Sequence, residues 1–393
     1  MRTSGKAKID IATTPAGLDN PIELFEEDFL HRGGFVKNLA RIVADAPVSG
    51  STVFALCADW GSGKTSVKNL LKLHFAKDWG TGGPLVVEFN PWAFSGQDQV
   101  LEAFFSEVGK AIGREHKGEE AAKGFKELGA HLTFGATTAK NVHLWLDLFG
   151  IPGAKLFGVL GEALGGAGRD AKEYGESIET VGKKAVTQIQ QDLVHHLASF
   201  NRNILIILDD LDRLTPDQLL LVFQIVKANA SLPRINYLLL MDRPTVERHL
   251  QTKHLGPNFV EKIVQFEFTL PHVPTSELKR ILAGGFEAIV APFRAEIDWE
   301  RWEYAWTSAC QHVFTTLRKI KRFLHTLRFH IRAFVNDGVL EVDPTDLFLL
   351  EVLRLHCPLV HQHLPNLIRP LIIHDDGPDS DLCTLSHIEC WLF

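Results

Sequence analysis

Five short apolar runs punctuate the chain, and each ends abruptly in polar, glycine or proline residues. Thr52–Cys57 runs into Gly61, Ser62, Gly63, Lys64 and Thr65, and Leu85–Phe89 into Asn90 and Pro91. Ile204–Leu208 ends in Asp209 and Asp210, residues 236–241 end in Asp242 and Arg243, and residues 265–270 close on Pro271 and Pro274. The unbroken run at Ile204–Leu208 is the pattern of a strand buried on both faces. Between the runs the apolar positions switch to spacings of three and four, which predict helices. Val67, Leu70, Leu71 and Leu73 follow the first run, and Val100, Leu101, Phe104, Phe105 and Val108 follow the second. After the third, the stretch opening at Pro216 is helical, with the proline near its start. Phe35, Leu39 and Ile42 mark a helix ahead of the first strand. Strands alternating with helices predict an α/β fold with a parallel sheet and ligands at the strand C-termini.

Beyond Pro274 the strand pattern stops, and residues 276–286, 299–314, 317–335 and 346–364 read as successive helices, the last broken at Cys357-Pro358. The expected organisation is a flexible arm at 1–18, an α/β domain at 19–275, a helical domain at 276–370 and a tail at 371–393. An insertion at about 115–185 interrupts the α/β pattern. It begins rich in Lys, Glu, Ala and Gly and turns greasy at 142–166, where Asp147, Pro152, Lys155 and Glu162 break the apolar run. A spanning helix needs about 20 mostly apolar residues, and a charge at the bilayer centre costs about 2.5–3.5 kcal/mol on insertion scales. A soluble helical insertion or a membrane-surface element is therefore expected in preference to a span.

Composition adds bounds. The 393 residues suggest two to three domains, and the 45% hydrophobic content is ample for a core. A net charge of −7 argues against a chain built globally to coat nucleic acid, while leaving room for a local basic face. Cys57, Cys310, Cys357, Cys383 and Cys390 are scattered as reduced thiols of a cytosolic protein would be, and the polar N-terminus lacks a secretory h-region. A cytoplasmic location is expected, with peripheral or integral attachment to an inner membrane as the alternative.

Two motifs carry chemistry. Residues 58–66, Ala58, Asp59, Trp60, Gly61, Ser62, Gly63, Lys64, Thr65 and Ser66, lie between a strand and a helix. This is the layout of a Walker A phosphate-binding loop: glycines free backbone N–H groups to face an anion, Lys64 neutralises the β- and γ-phosphates, and the Thr65 hydroxyl goes to Mg²⁺. Ala58 stands where the pattern has its first glycine, a replacement that fits if its φ is negative. The second motif is Asp209-Asp210-Leu211-Asp212-Arg213 at a strand end, a Walker B arrangement in which Asp209 holds the metal and Asp210 orients and polarises the attacking water. Asp242, ending the next strand, is either a polar sensor beside the γ-phosphate or a local cap. Asn90 is placed to touch the site, whereas Trp92 is expected in the core and Trp60 to hold the loop or meet a neighbouring element. His356, Cys357, His361 and His363 do not have zinc-ligand spacing, and no GxSxG or HExxH appears.

These motifs in this order resemble the KAP family of P-loop NTPases: DWGSGKTS at 59–66, FNPW at 89–92, DDLDRL at 209–214, LLMDR at 239–243, FVEKIVQ at 259–265 and TLRKIKRFLH at 316–325, with DNPI at 19–22 and DLFLLEVLRL at 346–355 at the ends. The resemblance covers about 19–365. It implies a five-stranded, mainly parallel sheet of order 5-1-4-3-2, a helical insertion between Walker A and Walker B, and a C-terminal helical domain. It places Arg318 where a basic side chain would reach the γ-phosphate, against the alternatives of a solvated basic face or a nucleic-acid or lipid patch formed with Lys319, Lys321, Arg322, Arg328 and Arg332. It implies ATP and Mg²⁺ as ligands, ATP hydrolysis working as a switch or motor, and, for bacterial members, antiphage defence with a protein partner or effector of a defence operon. Membrane contact through 142–166 and a homo-oligomer with Arg213 or Arg243 as a finger remain open. The rival readings are a nucleotide-binding signalling scaffold with little hydrolysis and a small-molecule kinase.

Overall fold

The computed structural model describes residues 20–115, 118–136 and 188–372, apart from positions 190, 231, 254, 256, 257 and 294. The arm at 1–18, the greasy stretch at 142–166 and all but the first two residues of the tail at 371–393 lie outside the described residues. Among those residues no helix is long and apolar enough to cross a membrane.

The strands are β1 (Thr52–Cys57), β2 (Leu85–Phe89), β3 (Ile204–Leu208), β4 (Ile235–Met241) and β5 (Phe266–Thr269). They form one sheet of order β2-β3-β4-β1-β5, the 5-1-4-3-2 order expected, and every neighbouring pair is parallel. Alternation along β1 divides the core. Val53, Ala55 and Cys57 face a cluster that includes α3 (Gln97–Gly113), α4 (Glu119–Ala136), a helix over 191–198 (α5) and α6 (Pro216–Ala228). Phe54 and Leu56 face the opposite cluster with α1 (Gly33–Ala44) and α2 (Lys64–His74). β1, β3 and β4 are buried along their whole lengths, as strands covered by helices on both faces must be. β5 is an edge strand and largely exposed.

Local chemistry sets the helix starts. Thr215 and Gln218 form a reciprocal capping box ahead of α6, with Pro216 in its first turn. Asp242 caps α7 (Arg243–Gln251), its carboxylate accepting from the Thr245 backbone N–H. In α1 the buried face is Val36, Leu39, Ala40 and Val43; Ile42, expected inside, is exposed. The correct stripe lies one residue round the helix, and the two small alanines Ala40 and Ala44 disguised it.

The chain divides into two compact units, one of Ile22–Trp60 with Lys64–Leu270 and the other of Gly61–Gly63 with the residues from Pro271 onward. The second contains α8 (Thr275–Val290), α9 (Trp299–Ala305), α10 (Leu317–His330), α11 (Pro344–His356) and α12 (Pro358–Ile372). Phe286, Phe314, Phe323 and Phe348 pack ring against ring in its core. The helix expected over 317–335 stops at His330, and the chain turns through Ile331–Phe334 into a hairpin of β6 (Val335–Asn336) and β7 (Val339–Leu340). Asp337 and Gly338 make the turn, both with positive φ, the backbone that an Asp-Gly pair suits.

Candidate functional site

The C-terminal ends of β1, β2, β3 and β4 deliver Ala58, Asn90, Asp209 and Asp242 to one rim of the sheet. From β1 the chain passes through the glycine loop into α2, which begins at Lys64. Positive φ in this loop is confined to Gly61 (+87°) and Gly63 (+99°). Ala58 is therefore sterically allowed, and its N–H extends the ladder by donating to the Met241 carbonyl. Gly61–Gly63 belong to the same compact unit as Arg318, and a Cβ on Gly61 would stand 3.2 Å from the Arg318 Cβ. Trp60 is 59% exposed and Asp59 is exposed as well.

Lys64 is buried. Its Nζ donates to the Ala58 carbonyl at 2.9 Å and lies 3.9 Å from Asp212 Oδ1. The Asp212 side chain is itself buried, and that oxygen has no hydrogen-bond partner among the described residues. Thr65 is the second residue of α2, where a side-chain oxygen and the free backbone N–H groups share the helix N-terminus. The Ser66 hydroxyl accepts from the Ile22 N–H, while Asn69 donates to the Ile22 carbonyl. The two side chains thereby anchor Ile22 of the DNPI motif on α2.

Asp209 is buried at the end of β3. One of its oxygens accepts from the Asp210 N–H and the other pairs with Lys68 Nζ at 3.0 Å. The same ammonium pairs with Glu88 of β2 at 2.9 Å, and Lys72 also reaches Glu88. Burial works against the Lys68 charge, but Asp209 and Glu88 outweigh it and hold its pKa above the ordinary lysine value. Glu88 shows the converse balance, with burial outweighed by its lysine partners and the pKa lowered. Sequence reasoning missed Lys68 and Glu88. Lys64, Lys68 and Lys72 recur every four residues and so share one face of α2, but only the strand order shows which carboxylates meet them.

Asp210 adopts the left-handed conformation, φ 57° and ψ 34°, a backbone that Asp tolerates better than most residues. Its carboxylate is held from both sides: Asn90 Nδ2 donates at 3.0 Å and Arg213 Nε lies 3.1 Å away. Arg213 also stacks over the Trp92 ring, 5.0 Å from its centroid. Asn90 therefore joins the acidic pair. Trp92, expected in the core, is 53% exposed, because the short turn Pro91–Ala93 that Asn90 caps carries it outward to meet the guanidinium. Asp242 is engaged as the cap of α7. Arg243 is gripped by Glu247, Glu261 and Glu267, with its pKa raised first by the hydrogen bond it donates to Glu247.

Among the described residues no group of three or more His, Cys, Asp or Glu side chains is arranged to hold a metal. The rim offers hard oxygens in small number, the Asp209 carboxylate and the Thr65 hydroxyl. That fits Mg²⁺, which takes one or two protein oxygens and completes its octahedron with water and phosphate. It does not fit zinc or an all-protein calcium cage.

Residues 32–334 match the KAP family P-loop domain. The chain is 27% identical over 356 residues to the phage T7 exclusion protein of Escherichia coli (strain K12), an alignment covering 88% of this chain and 47% of that protein. The chain thus spans about half the length of that relative. Among solved structures it is similar to the Aeropyrum pernix ORC1 protein in complex with DNA, with a TM-score of 0.41, 15% identity, and coverage of 92% of this chain and 76% of that one. It is similar also to the ORC2 protein of the same organism, with a TM-score of 0.42, 16% identity, and coverage of 86% and 72%.

Proposed function

Because the chain belongs to the KAP family of P-loop proteins, we propose that it is a Mg²⁺-dependent nucleoside triphosphatase that uses ATP. One observation carries the reading: a glycine loop with a buried lysine and a buried acidic strand end lie on the same rim of a parallel sheet. In this reading the loop N–H groups and Lys64 hold the phosphates, and Asp212 is the fixed countercharge beside Lys64. Thr65 and Asp209 hold Mg²⁺, which neutralises phosphate charge when bound. Asp210 accepts a hydrogen bond from the attacking water and sets its line to the γ-phosphorus. The new P–O bond forms as the bond to the β–γ bridging oxygen breaks, the water's proton passing to a γ-phosphoryl oxygen, leaving ADP and phosphate. Asp242 and Arg318 are proposed to sense the γ-phosphate, and Arg318 is suited to this by its place beside Gly61.

Loss of the γ-phosphate would then bias the α/β domain, proposed as 19–275, against the helical domain, proposed as 276–370, so that turnover works as a switch. The relative named for exclusion of phage T7 supports a role in bacterial antiphage defence, in the cytoplasm, with an effector protein. Because both Asp210 oxygens are already engaged, turnover should be slow, which suits a timed switch better than a motor. The test is phosphate release from ATP by the full chain with and without Mg²⁺. Release that requires the metal supports the reading, and ATP binding without release overturns it in favour of a signalling scaffold.

A further inference from the structure

Helix α10 and the turn after it present a basic stripe of which the proposed nucleotide chemistry uses Arg318 alone. From Leu317 to Val335 the chain has no Asp or Glu, although its net charge is −7. The apolar face of α10 is spent in the core: Ile320, Phe323, Leu324, Leu327 and Ile331 are all buried. The opposite face carries Arg318, Arg322, His325, Phe329 and Arg332, spaced by four, three, four and three residues, so that they line up along one side. At 1.5 Å per residue the stripe is about 21 Å long. Arg322, His325 and Arg332 are exposed, as is Lys319 at its flank. One aromatic ring, Phe329, interrupts the charges, and a second, Phe334, lies just beyond Arg332. Phe329 is 75% exposed, the largest exposure among the large hydrophobic side chains described, and Phe334 is 40% exposed. The field of Lys319 and Arg322 is felt at His356, whose pKa is lowered first by burial and then by these two cations.

We propose that this stripe binds single-stranded nucleic acid, with Arg322, Arg332 and Lys319 on phosphates and Phe329 stacked on an unpaired base. The cations alone would suit any polyanion, and the exposed rings select among them. A ring on a basic groove is a stacking platform for bases freed from a duplex. An anionic membrane would need the apolar face of the helix, and that face is already buried. An acidic protein would use the cations and leave Phe329 idle.

The test is fluorescence anisotropy with the full chain and labelled 20-nucleotide dT and U strands, a 20-base-pair duplex, and vesicles of mixed phosphatidylglycerol and phosphatidylcholine. The single strands should bind best, with log K falling against log salt with a slope of about −2 for three neutralised phosphates. Arg322→Ala and Arg332→Ala should each make the slope shallower by about 0.7. Phe329→Ala should weaken binding by about five- to a hundredfold at an unchanged slope. These side chains are exposed, so circular dichroism melts of the variants should match the wild type. The proposal is overturned if single strands do not bind, if Phe329→Ala binds as the wild type does, or if the vesicles or the duplex are preferred. None of these readouts requires turnover of nucleotide, so the result stands apart from the triphosphatase reading.

Discussion

Replacing Lys68 by methionine isolates one ammonium that the site depends on. Methionine keeps the apolar stem and removes the charge. The Lys68 side chain is 13% exposed, and its ammonium bridges Glu88 and Asp209 at 2.9 and 3.0 Å. Breaking a fully buried pair by removing one partner costs about 3–5 kcal/mol, because a buried charge is left without a partner. Glu88, at 37% exposure, can regain water and also keeps Lys72, so it contributes little to the loss. Asp209, at 9%, cannot. The expected cost is therefore about 2–3 kcal/mol, a little under the fully buried figure. That corresponds to a melting temperature lower by about 5–10 °C at 2–4 °C per kcal/mol. Lys72→Met, which removes only a surface partner of Glu88, should cost under about 0.5 kcal/mol. Differential scanning fluorimetry at neutral pH, in low salt, reads both variants. Adding Asp209→Asn to Lys68→Met should recover most of the loss, because the orphaned charge is then gone. Lys68→Met melting within a degree of the wild type, or no recovery in the double variant, would refute the assignment of Lys68 as the countercharge of Asp209.

Further outcomes follow from the same geometry. Ala58→Gly should leave nucleotide affinity within about twofold and lower stability by at most about 1 kcal/mol, since the position does not use positive φ and glycine only loosens the unfolded chain; a tenfold gain in affinity by calorimetry would show that alanine detunes the loop. Gly63→Ala, at φ +99°, should by contrast abolish nucleotide binding while the protein still folds. Glu351 is buried, and although burial opposes its charge, Arg354 and His330 hold its pKa below the ordinary 4.5. A lowered carboxylate contributes stability that is complete above the unfolded value and is lost as pH falls through the folded one. Urea melts should therefore show stability falling from about pH 5 downward, and Glu351→Gln should be weaker at pH 7 and flatter across that range.

How much of this was legible follows from what each feature depends on. β1, β3 and β4 could be read because a parallel strand covered on both faces is apolar almost without interruption. The loop and the Asp209-Asp210 pair could be read because their chemistry requires those residues next to one another in sequence. Lys68 and Glu88 could not, since they meet only because β2 lies beside β3. Trp92 misled because a large aromatic after a strand is ordinarily core, whereas here the Asn90-capped turn offers it to Arg213. The hairpin at 335–340 was hidden by Ile331 and Phe334, which extend the helical spacing of α10 by a turn. The signal that could have revealed it was the Asp337-Gly338 pair. Ser66 sits within the motif, but its hydroxyl serves Ile22, forty-four residues upstream.

The central claim is that Asp210 directs hydrolysis on a site built by Lys64, Thr65 and Asp209. Asp210→Asn is the direct probe, because asparagine also tolerates the left-handed backbone at this position and its one amide oxygen can keep the bond from either Asn90 or Arg213. Single-turnover release of phosphate from γ-labelled ATP with Mg²⁺ should fall by about a hundredfold or more in this variant, with nucleotide affinity within a few fold of the wild type. Release at the wild-type rate, with affinity unchanged, would contradict the account.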